Sequence, residues 1–200
     1  MLPFVVTIAG NVGSGKSTVI RYAASQPGWQ GILEEQEEFL RHAFEVAPSK
    51  FHSQVLFAAR RIEQYDEIKK SNIILIERSI DEDKHVFWNY YFQDGKLTEA
   101  DLQSLYYIYT VIKRKIVEPE LTIFLKSPVN ILRERIRERG RLFEADLDLE
   151  ELDKLEQDFL NDEIMKDAAK IVIIDSNRNP QVVWADVRRT ILERATAGGK

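Results

Sequence analysis

The sequence predicts an α/β fold, a three-layer α/β/α sandwich built around a five-stranded parallel sheet. Apolar runs rich in β-branched residues recur at positions 4–9, 31–33, 72–76, 121–125 and 171–174, and their continuity is typical of strands buried on both faces. Helical periodicity is clearest at positions 51–70, 97–117, 129–139, 149–166 and 180–194. Strands that alternate with helices form such a sandwich, and ligands collect at the carboxyl ends of its strands.

The first strand runs directly into the phosphate-binding pattern G-x-x-x-x-G-K-[ST]. Its residues are Gly10, Asn11, Val12, Gly13, Ser14, Gly15, Lys16, Ser17 and Thr18. The glycines let successive N–H groups point at one anion, Lys16 supplies a charge for the terminal phosphates, and Ser17 offers a hydroxyl to magnesium. The following helix directs its N-terminal dipole at the same place. The motif therefore predicts a bound nucleotide polyphosphate.

The composition restricts the classes of function. With 200 residues and 44% apolar content, the chain predicts one domain over residues 1–200 with a loose tail at 195–200. The net charge of −5 argues against binding a nucleic acid polymer. The chain has no cysteine, which excludes disulfides and thiolate metal sites and fits a reducing compartment. The sequence has neither a basic leader nor an apolar run of membrane-spanning length, so we expect a cytoplasmic protein without membrane contact.

Acidic residues follow the second strand. Phosphoryl transfer to a hydroxyl needs a carboxylate that orients the acceptor and takes its proton, and both Glu34 and Glu35 stand at a suitable strand end. Glu37 and Glu38 lie close by, so the same stretch is also compatible with the solvated, acidic start of a helix. The residues alone leave both interpretations open.

The third strand ends in Glu77-Arg78-Ser79. A carboxylate at this place completes the magnesium shell in enzymes with a phosphate loop, and Arg78 can hold a carboxylate or phosphate through two hydrogen bonds. An ordinary ion pair at a strand end is the alternative. Asp175 ends the fifth strand in the same way.

The helix that follows position 51 carries two polar residues close to one face, Gln54 and Arg61. A glutamine amide and a guanidinium directed into a cleft offer the acceptor and donor groups that suit a nucleobase edge. Taken alone, Gln54 and Arg61 are more typical of an ordinary protein surface, and Asp83 is equally unremarkable in isolation.

The segment 132–144 is dense in arginine. Arg135 and Arg139 are an i, i+4 pair of like charges, Gly140 ends the helix, and Arg141 continues the basic surface into a loop. These features predict an arginine-bearing lid, at about residues 135–148, that closes over transferring phosphates. Because acidic residues alternate with the arginines, a charged, solvated helix face is the alternative.

Together these segments resemble the deoxynucleoside kinase family that includes deoxycytidine, deoxyguanosine and deoxyadenosine kinases. The resemblance covers most of the chain and implies a P-loop kinase fold. The residues that carry it, besides the phosphate loop, are Phe51-His52-Ser53-Gln54, Arg61, Glu77-Arg78-Ser79-Ile80, Asp83, Arg135, Arg139-Gly140-Arg141 and Glu144.

The resemblance implies ATP-dependent, magnesium-dependent phosphorylation of the 5′-hydroxyl of a deoxynucleoside, with purine deoxynucleosides or deoxycytidine favoured, by a homodimer active in nucleotide salvage. Glu34, between the aromatic positions Trp29 and Phe39, is the implied general base, and Arg78 steadies this base and the 5′-hydroxyl. The further roles are implied as follows: Gln54, Arg61 and Asp83 in the base pocket with Phe39 beside the substrate; Ser17 and Glu77 on magnesium; Lys16, Arg135, Arg139 and Arg141 on the phosphates; Glu144 on the 3′-hydroxyl; Asp175, Asn177 and Arg178 beside the adenine of ATP.

The chain departs from the family pattern at two places. Glu35 stands where the family has a proline after the catalytic glutamate, so Glu35 stays a rival base. The stretch between Glu34 and Gln54 is short, and the tyrosine that commonly contacts the 3′-hydroxyl has no counterpart, although His42 and Phe44 lie in that neighbourhood.

Two other functions share the phosphate loop. A nucleoside monophosphate kinase of the thymidylate kinase type needs an extra basic contact for the acceptor phosphate and usually has an aromatic residue where this chain has Ser79. A GTP-binding switch needs an Asn-Lys-x-Asp segment, for which Asn177-Arg178-Asn179 is a poor substitute.

Overall fold

A computed structural model describes residues 3–34, 37–69, 71–141, 144 and 146–197. Glu35, the rival to Glu34, lies outside the described residues. The structure therefore places only Glu34 of the two candidate bases.

The five predicted strands form one parallel sheet. They are β1 (Phe4–Ala9), β2 (Trp29–Ile32), β3 (Ile73–Glu77), β4 (Leu121–Lys126) and β5 (Ile171–Asp175), in the order β2-β3-β1-β4-β5. The prediction of a five-stranded parallel sheet is confirmed. The phosphate loop follows β1, the central strand, and the end of β3 lies next to it, since Ile8 pairs with Glu77.

Nine helices surround the sheet in the described part of the chain. They are α1 (Lys16–Ala24), α2 (Glu37–Arg41), α3 (Lys50–Asp66), α4 (Ile80–Glu82), α5 (Asn89–Gln93), α6 (Glu99–Lys113), α7 (Val129–Arg139), α8 (Leu149–Asp167) and α9 (Pro180–Ala197). Two π-helical stretches, His42–Val46 after α2 and Asp83–Trp88 between α4 and α5, add five- and six-residue segments to these helices.

Several predicted element ends differ from the structure. The helix predicted at 97–117 is shorter at both ends, since α6 spans Glu99–Lys113, and the strand predicted at 31–33 begins earlier, since β2 spans Trp29–Ile32. The prediction carried α3 to residue 70, but α3 ends at Asp66 because the chain turns there to enter β3, and Ile68 packs against the buried sheet residues Ile74 and Ile76. The predicted loose tail began at residue 195, but α9 continues to Ala197.

The core lies on both faces of the sheet. Side chains alternate along a strand, so Val6 and Ile8 pack with α1 and α9, including Val187 and Ile191. The other face supports a cluster that includes Leu105 of α6, Leu152 and Phe159 of α8, and the fully buried Trp88. This gives the predicted three layers and leaves the carboxyl edge of the sheet for the loops. Within the described ranges, no helix is long and apolar enough to cross a membrane.

Candidate active site

The phosphate loop joins β1 to α1 in a conformation that its glycines permit. Gly10 has a φ of 132°, and a Cβ at this position would clash with the carbonyl oxygen of Leu125. A side chain at position 10 would therefore separate the loop from β4. The buried Lys16 donates to the carbonyl oxygens of Gly10 at 2.7 Å and of Asn11 at 3.0 Å. Burial and the nearby charge of Arg78 lower the pKa of Lys16.

Ser17 and Glu77 meet at the start of α1 and the end of β3. The hydroxyl of Ser17 donates to Oε1 of Glu77 at 2.8 Å, so two oxygen ligands converge beside the loop. In the described residues, no group of three or more His, Cys, Asp or Glu could hold a metal ion. This donor set fits Mg²⁺, which binds through one or two protein oxygens together with water and substrate phosphates.

Arg78 has an unusual backbone. Its φ of 64° is positive, and it is the one non-glycine residue with this feature among those described. Such a conformation is uncommon for a bulky residue and is maintained by its surroundings. The guanidinium is buried, lies 4.6 Å from the ring centroid of Phe87, and pairs with Glu82 and with Glu34, whose Oε2 is 3.3 Å from Nε. Arg78 is therefore held with its charge directed at Glu34.

Glu34 is a buried carboxylate between two arginines. Arg61 donates to its Oε1 and Arg78 approaches its Oε2. Burial raises the pKa of Glu34, but the charges of Arg61 and Arg78 outweigh burial, and its pKa lies below the ordinary value. Arg60, which the sequence did not indicate, fixes the local backbone by donating to the carbonyl oxygens of Glu34 at 2.7 Å and Leu33 at 3.1 Å. Glu34 is thus ionised and rigidly placed.

Arg61 fixes the carboxylates of Glu34 and Asp83 from a position outside the lining of the cleft. It is fully buried and donates to both oxygens of Asp83, at 2.7 and 2.8 Å, as well as to Glu34. Burial raises the pKa of Asp83 by more than Arg61 lowers it. Arg61 does not line the cleft, so its position fits an organising role instead of the predicted direct contact with a nucleobase.

A cleft of about 450 Å³ connects the phosphate loop with the acceptor residues. Most of the site residues predicted from the sequence line it: Val12, Gly13, Ser14, Gly15, Lys16, Ser17, Thr18, Glu34, Gln54, Glu77, Arg78, Asp83, Arg135, Arg139, Arg141, Glu144 and Arg178. Gly10 and Asn11, at the start of the loop, do not line the cleft, and their carbonyl oxygens accept hydrogen bonds from Lys16. The structure therefore brings the two halves of the predicted site into one cavity.

Phe39, predicted to lie beside the substrate, does not line the cleft. Its ring packs edge-on against Phe57 at 5.4 Å, and the neighbouring Leu40 and Phe44 line the cavity instead. Phe57, Phe87 and Tyr91 complete the aromatic lining. The sequence analysis assigned none of these three residues to the site. Phe57 could have been predicted from the sequence, because it follows Gln54 by three residues and so lies on the same face of the helix.

The lid arginines have separate partners. Arg135 donates to the carbonyl oxygens of Gly13 at 3.2 Å and Ser176 at 2.8 Å, which joins α7 to the phosphate loop and to the segment after β5. Arg139 pairs with Glu144, and Arg141 lies 3.5 Å from the same carboxylate. The helix ends at Gly140 with a φ of 71°, as predicted. The carboxylate of Glu144 therefore pairs with two of the lid arginines, Arg139 and Arg141, at the cleft.

The segment after β5 contributes Ser176 and Arg178 to the cleft. Asp175 is largely exposed and Asn177 donates its backbone N–H to Oδ1 of Asp175 at 2.8 Å, so these two residues shape the turn and do not line the cavity. Arg178 is fixed by Asp186 at 2.9 Å.

Comparison with known proteins agrees with this geometry. The family model described as "Deoxynucleoside kinase" matches residues 6–196. The chain belongs to the deoxynucleoside kinase family. A deoxyadenosine/deoxycytidine kinase of Bacillus subtilis (strain 168) is 30% identical over 148 residues, 70% of this chain and 67% of that protein. A deoxyguanosine kinase of the same strain is 25% identical over 165 residues, 78% of this chain and 76% of that protein.

Solved structures agree on the fold. A deoxyadenosine kinase from M. mycoides, determined with bound dATP, has a TM-score of 0.71 and covers 94% of this chain and 98% of its own at 19% identity. The predicted family and the P-loop kinase fold of this deoxynucleoside kinase are confirmed. The roles of individual residues stay predictions.

Proposed function

We propose that this deoxynucleoside kinase transfers the γ-phosphoryl group of ATP to the 5′-hydroxyl of a deoxynucleoside, with Glu34 as the general base. The observation that carries this proposal is the position of the Glu34 carboxylate, which is buried between two arginines that lower its pKa, in the cleft that begins at the phosphate loop. A carboxylate in that state accepts the hydroxyl proton as the oxygen attacks phosphorus.

The donor half of the reaction uses the loop and the lid. The loop N–H groups and Lys16 bind the phosphates, and Arg139 and Arg141 neutralise the charge that spreads over the transferring oxygens. Arg135 positions α7 through its bonds to Gly13 and Ser176 and so keeps these arginines over the loop. Ser17 and Glu77 hold Mg²⁺, whose charge offsets that of the β- and γ-phosphates when it is bound.

The acceptor half uses residues on α3 and after β3. Gln54 is buried at the cleft wall and offers a donor and an acceptor to a nucleobase edge, and Asp83 lines the same cleft. The rings of Phe57, Phe44 and Tyr91 give the base an apolar surround. Purine deoxynucleosides or deoxycytidine are the favoured acceptors, in line with the resemblance stated above, and Glu144 is assigned to the sugar 3′-hydroxyl.

We also propose that each chain forms one domain and that two chains form a homodimer. Tyr107 and Val111 lie one turn apart on α6 and are 67% and 55% exposed, which leaves an apolar strip on this helix. A second copy of the chain would cover this strip across a twofold axis. Molar mass from light scattering tests this, with about twice the chain mass expected. The cytoplasmic location and the salvage role stay predictions.

Steady-state assays with ATP, Mg²⁺ and a panel of nucleosides and nucleoside monophosphates test the reaction, with products identified by mass spectrometry. We expect deoxynucleosides to yield 5′-monophosphates and ADP. Glu34→Gln serves as the matched control because it preserves shape and removes the charge. Phosphorylation of monophosphates alone would make the protein a thymidylate-type kinase, and tight guanine-specific binding without turnover would make it a switch.

A further inference from the structure

Two buried glutamates, Glu82 and Glu156, have no role in the proposed reaction. Glu82, on α4, has a relative exposure of 0%, and Glu156, on α8, has 6%. Oε2 of Glu82 and Oε1 of Glu156 are both buried and, within the described ranges, have no hydrogen-bond partner. A buried carboxylate oxygen without a donor is costly, so its presence needs a physical explanation.

Glu82 connects Arg78 to the phosphate loop. Its Oε1 accepts from a guanidinium nitrogen of Arg78 and lies 3.4 Å from the backbone nitrogen of Gly10. The same Arg78 has the positive φ of 64° and approaches Glu34 with its Nε. Glu82 therefore contacts a different guanidinium nitrogen from the one that faces the general base, and it ties the arginine to the start of the loop.

Glu156 lies on the face of α8 that packs against the segment of Glu82. The ring of His85, one turn after Glu82, stacks on that of Phe159, one turn after Glu156, with 5.5 Å between the ring centroids. After burial, the charge of Glu82 is the largest influence that raises the pKa of Glu156, to about 8, while Arg78 and Lys16 act in the opposite direction. Asp153, on the same helix, adds a smaller effect. Burial also raises the pKa of Glu82. Two carboxyl groups with these environments titrate as a pair, and one proton between them removes the repulsion.

The balance of buried charges also favours one shared proton between Glu82 and Glu156. The buried cations Lys16, Arg61 and Arg78 interact electrostatically with the buried carboxyl groups of Glu34, Glu77, Glu82, Asp83 and Glu156. Five ionised carboxylates would exceed the three cations, which is unfavourable away from water. A neutral Glu156 that donates its O–H to the open oxygen of Glu82 reduces the excess and gives each of the two unpartnered oxygens a partner.

We propose that Glu82 and Glu156 form a buried acid pair that shares one proton and positions Arg78 against the phosphate loop. Glu82 and Glu156 are positioning residues, since they act through Arg78 and not on the substrate. The pair also links α8, the helix that follows the lid, to the arginine beside the general base. This inference rests on the role of Arg78 in the proposed function.

The test compares the wild type with Glu82→Gln, Glu156→Gln and the control Asp158→Asn, an exposed position on α8. Glu82→Gln should lower kcat about tenfold or more, the effect of losing a charge-assisted hydrogen bond, with KM for ATP and nucleoside changed less than threefold. Asp158→Asn should match the wild type. Circular dichroism establishes that each variant is folded.

The pH profile separates positioning from packing. Wild-type kcat should fall between pH 7 and pH 9, because ionised Glu156 adds a second negative charge that competes with Glu34 for Arg78. Glu156→Gln, which resembles the protonated acid, should keep the wild-type kcat at pH 7 and lack this fall. The same fall in Glu156→Gln, or wild-type kcat in Glu82→Gln, would overturn the inference. A wild type that phosphorylates no deoxynucleoside would overturn the proposed function instead.

A readout without turnover complements the kinetics. A carboxyl group with a raised pKa in the folded state costs stability as the pH rises from the unfolded value, near 4.5, to about 8. The melting temperature of Glu156→Gln minus that of the wild type should therefore increase over this interval and level off above it. A difference that does not change with pH would show that no shared proton exists.

Discussion

Replacing Arg61 by methionine tests how the acceptor side is built. Arg61 is fully buried and is hydrogen-bonded to Glu34, to both oxygens of Asp83, and to Gln64 at 3.0 Å. Arg61→Met keeps much of the side-chain volume and leaves two buried carboxylates without their shared cation. Removing one partner of a buried ion pair costs about 3–5 kcal/mol, so the free energy of unfolding at pH 7 should fall by about that amount.

The sign of the pH effect follows from the same contacts. Without Arg61, the pKa of Glu34 rises, although Arg78 and Lys16 still lower it, and the pKa of Asp83, which burial already raises, rises further above its unfolded value. The folded variant then binds more protons than the unfolded chain, so its stability should increase as the pH falls from 7 to 5. The acid side of the kcat/KM profile should shift to higher pH, because Glu34 must be ionised to act as a base.

Urea denaturation at pH 7 and pH 5, together with kcat/KM between pH 5 and pH 9, measures both effects. Arg189→Met is the matched control, since Arg189 is 65% exposed and its ion pair with Asp186 lies on the surface of α9. This control should keep the wild-type midpoint and profile. A loss below about 1 kcal/mol in Arg61→Met, where 3–5 kcal/mol is expected for a buried pair, would refute the organising role of Arg61.

Three further substitutions probe other parts of the site. Glu77→Gln should raise the Mg²⁺ concentration for half-maximal activity at least about tenfold, and a magnesium titration of kcat that matches the wild type would contradict the metal assignment. Arg139→Gln should lower kcat by roughly 10²- to 10³-fold in steady-state assays without changing the melting temperature, whereas an unchanged kcat would remove the arginine from the lid chemistry. Gln54→Leu should lower kcat/KM for the preferred deoxynucleoside at least about tenfold, and equal values across the nucleoside panel would exclude base recognition by this amide.

The phosphate loop and the sheet could be predicted because their signals are local. Continuous apolar runs mark strands buried on both faces, and the glycines of the loop are required by its backbone angles, such as the φ of 132° at Gly10. The strand ends then place Glu34, Glu77 and Arg78 at one edge of the sheet. Because the strands are parallel and in register, their carboxyl ends meet at this edge, so the proximity of the three residues could be predicted from the order of strands and strand-end residues.

The aromatic lining could not be predicted in the same way. Phe44 and Phe87 lie in π-helical segments, where the wider turn changes which side chains face the cavity, and a periodicity of 3.6 residues fails to describe them. Phe39 consequently packs against Phe57, and Phe44 takes the place at the cleft. The spacing between Gln54 and Arg61 placed both near one helix face, but only the structure distinguishes the residue at the cleft from the buried one behind it.

The most direct test of the general base is phosphoryl transfer by Glu34→Gln in a single turnover, with the affinity for the deoxynucleoside measured separately. Glutamine keeps the size of the side chain and can still accept from Arg61, but it cannot take a proton from the 5′-hydroxyl. We expect the rate to fall by roughly 10²- to 10⁴-fold while the dissociation constant of the deoxynucleoside changes less than threefold. A rate equal to that of the wild type would contradict the assignment of Glu34.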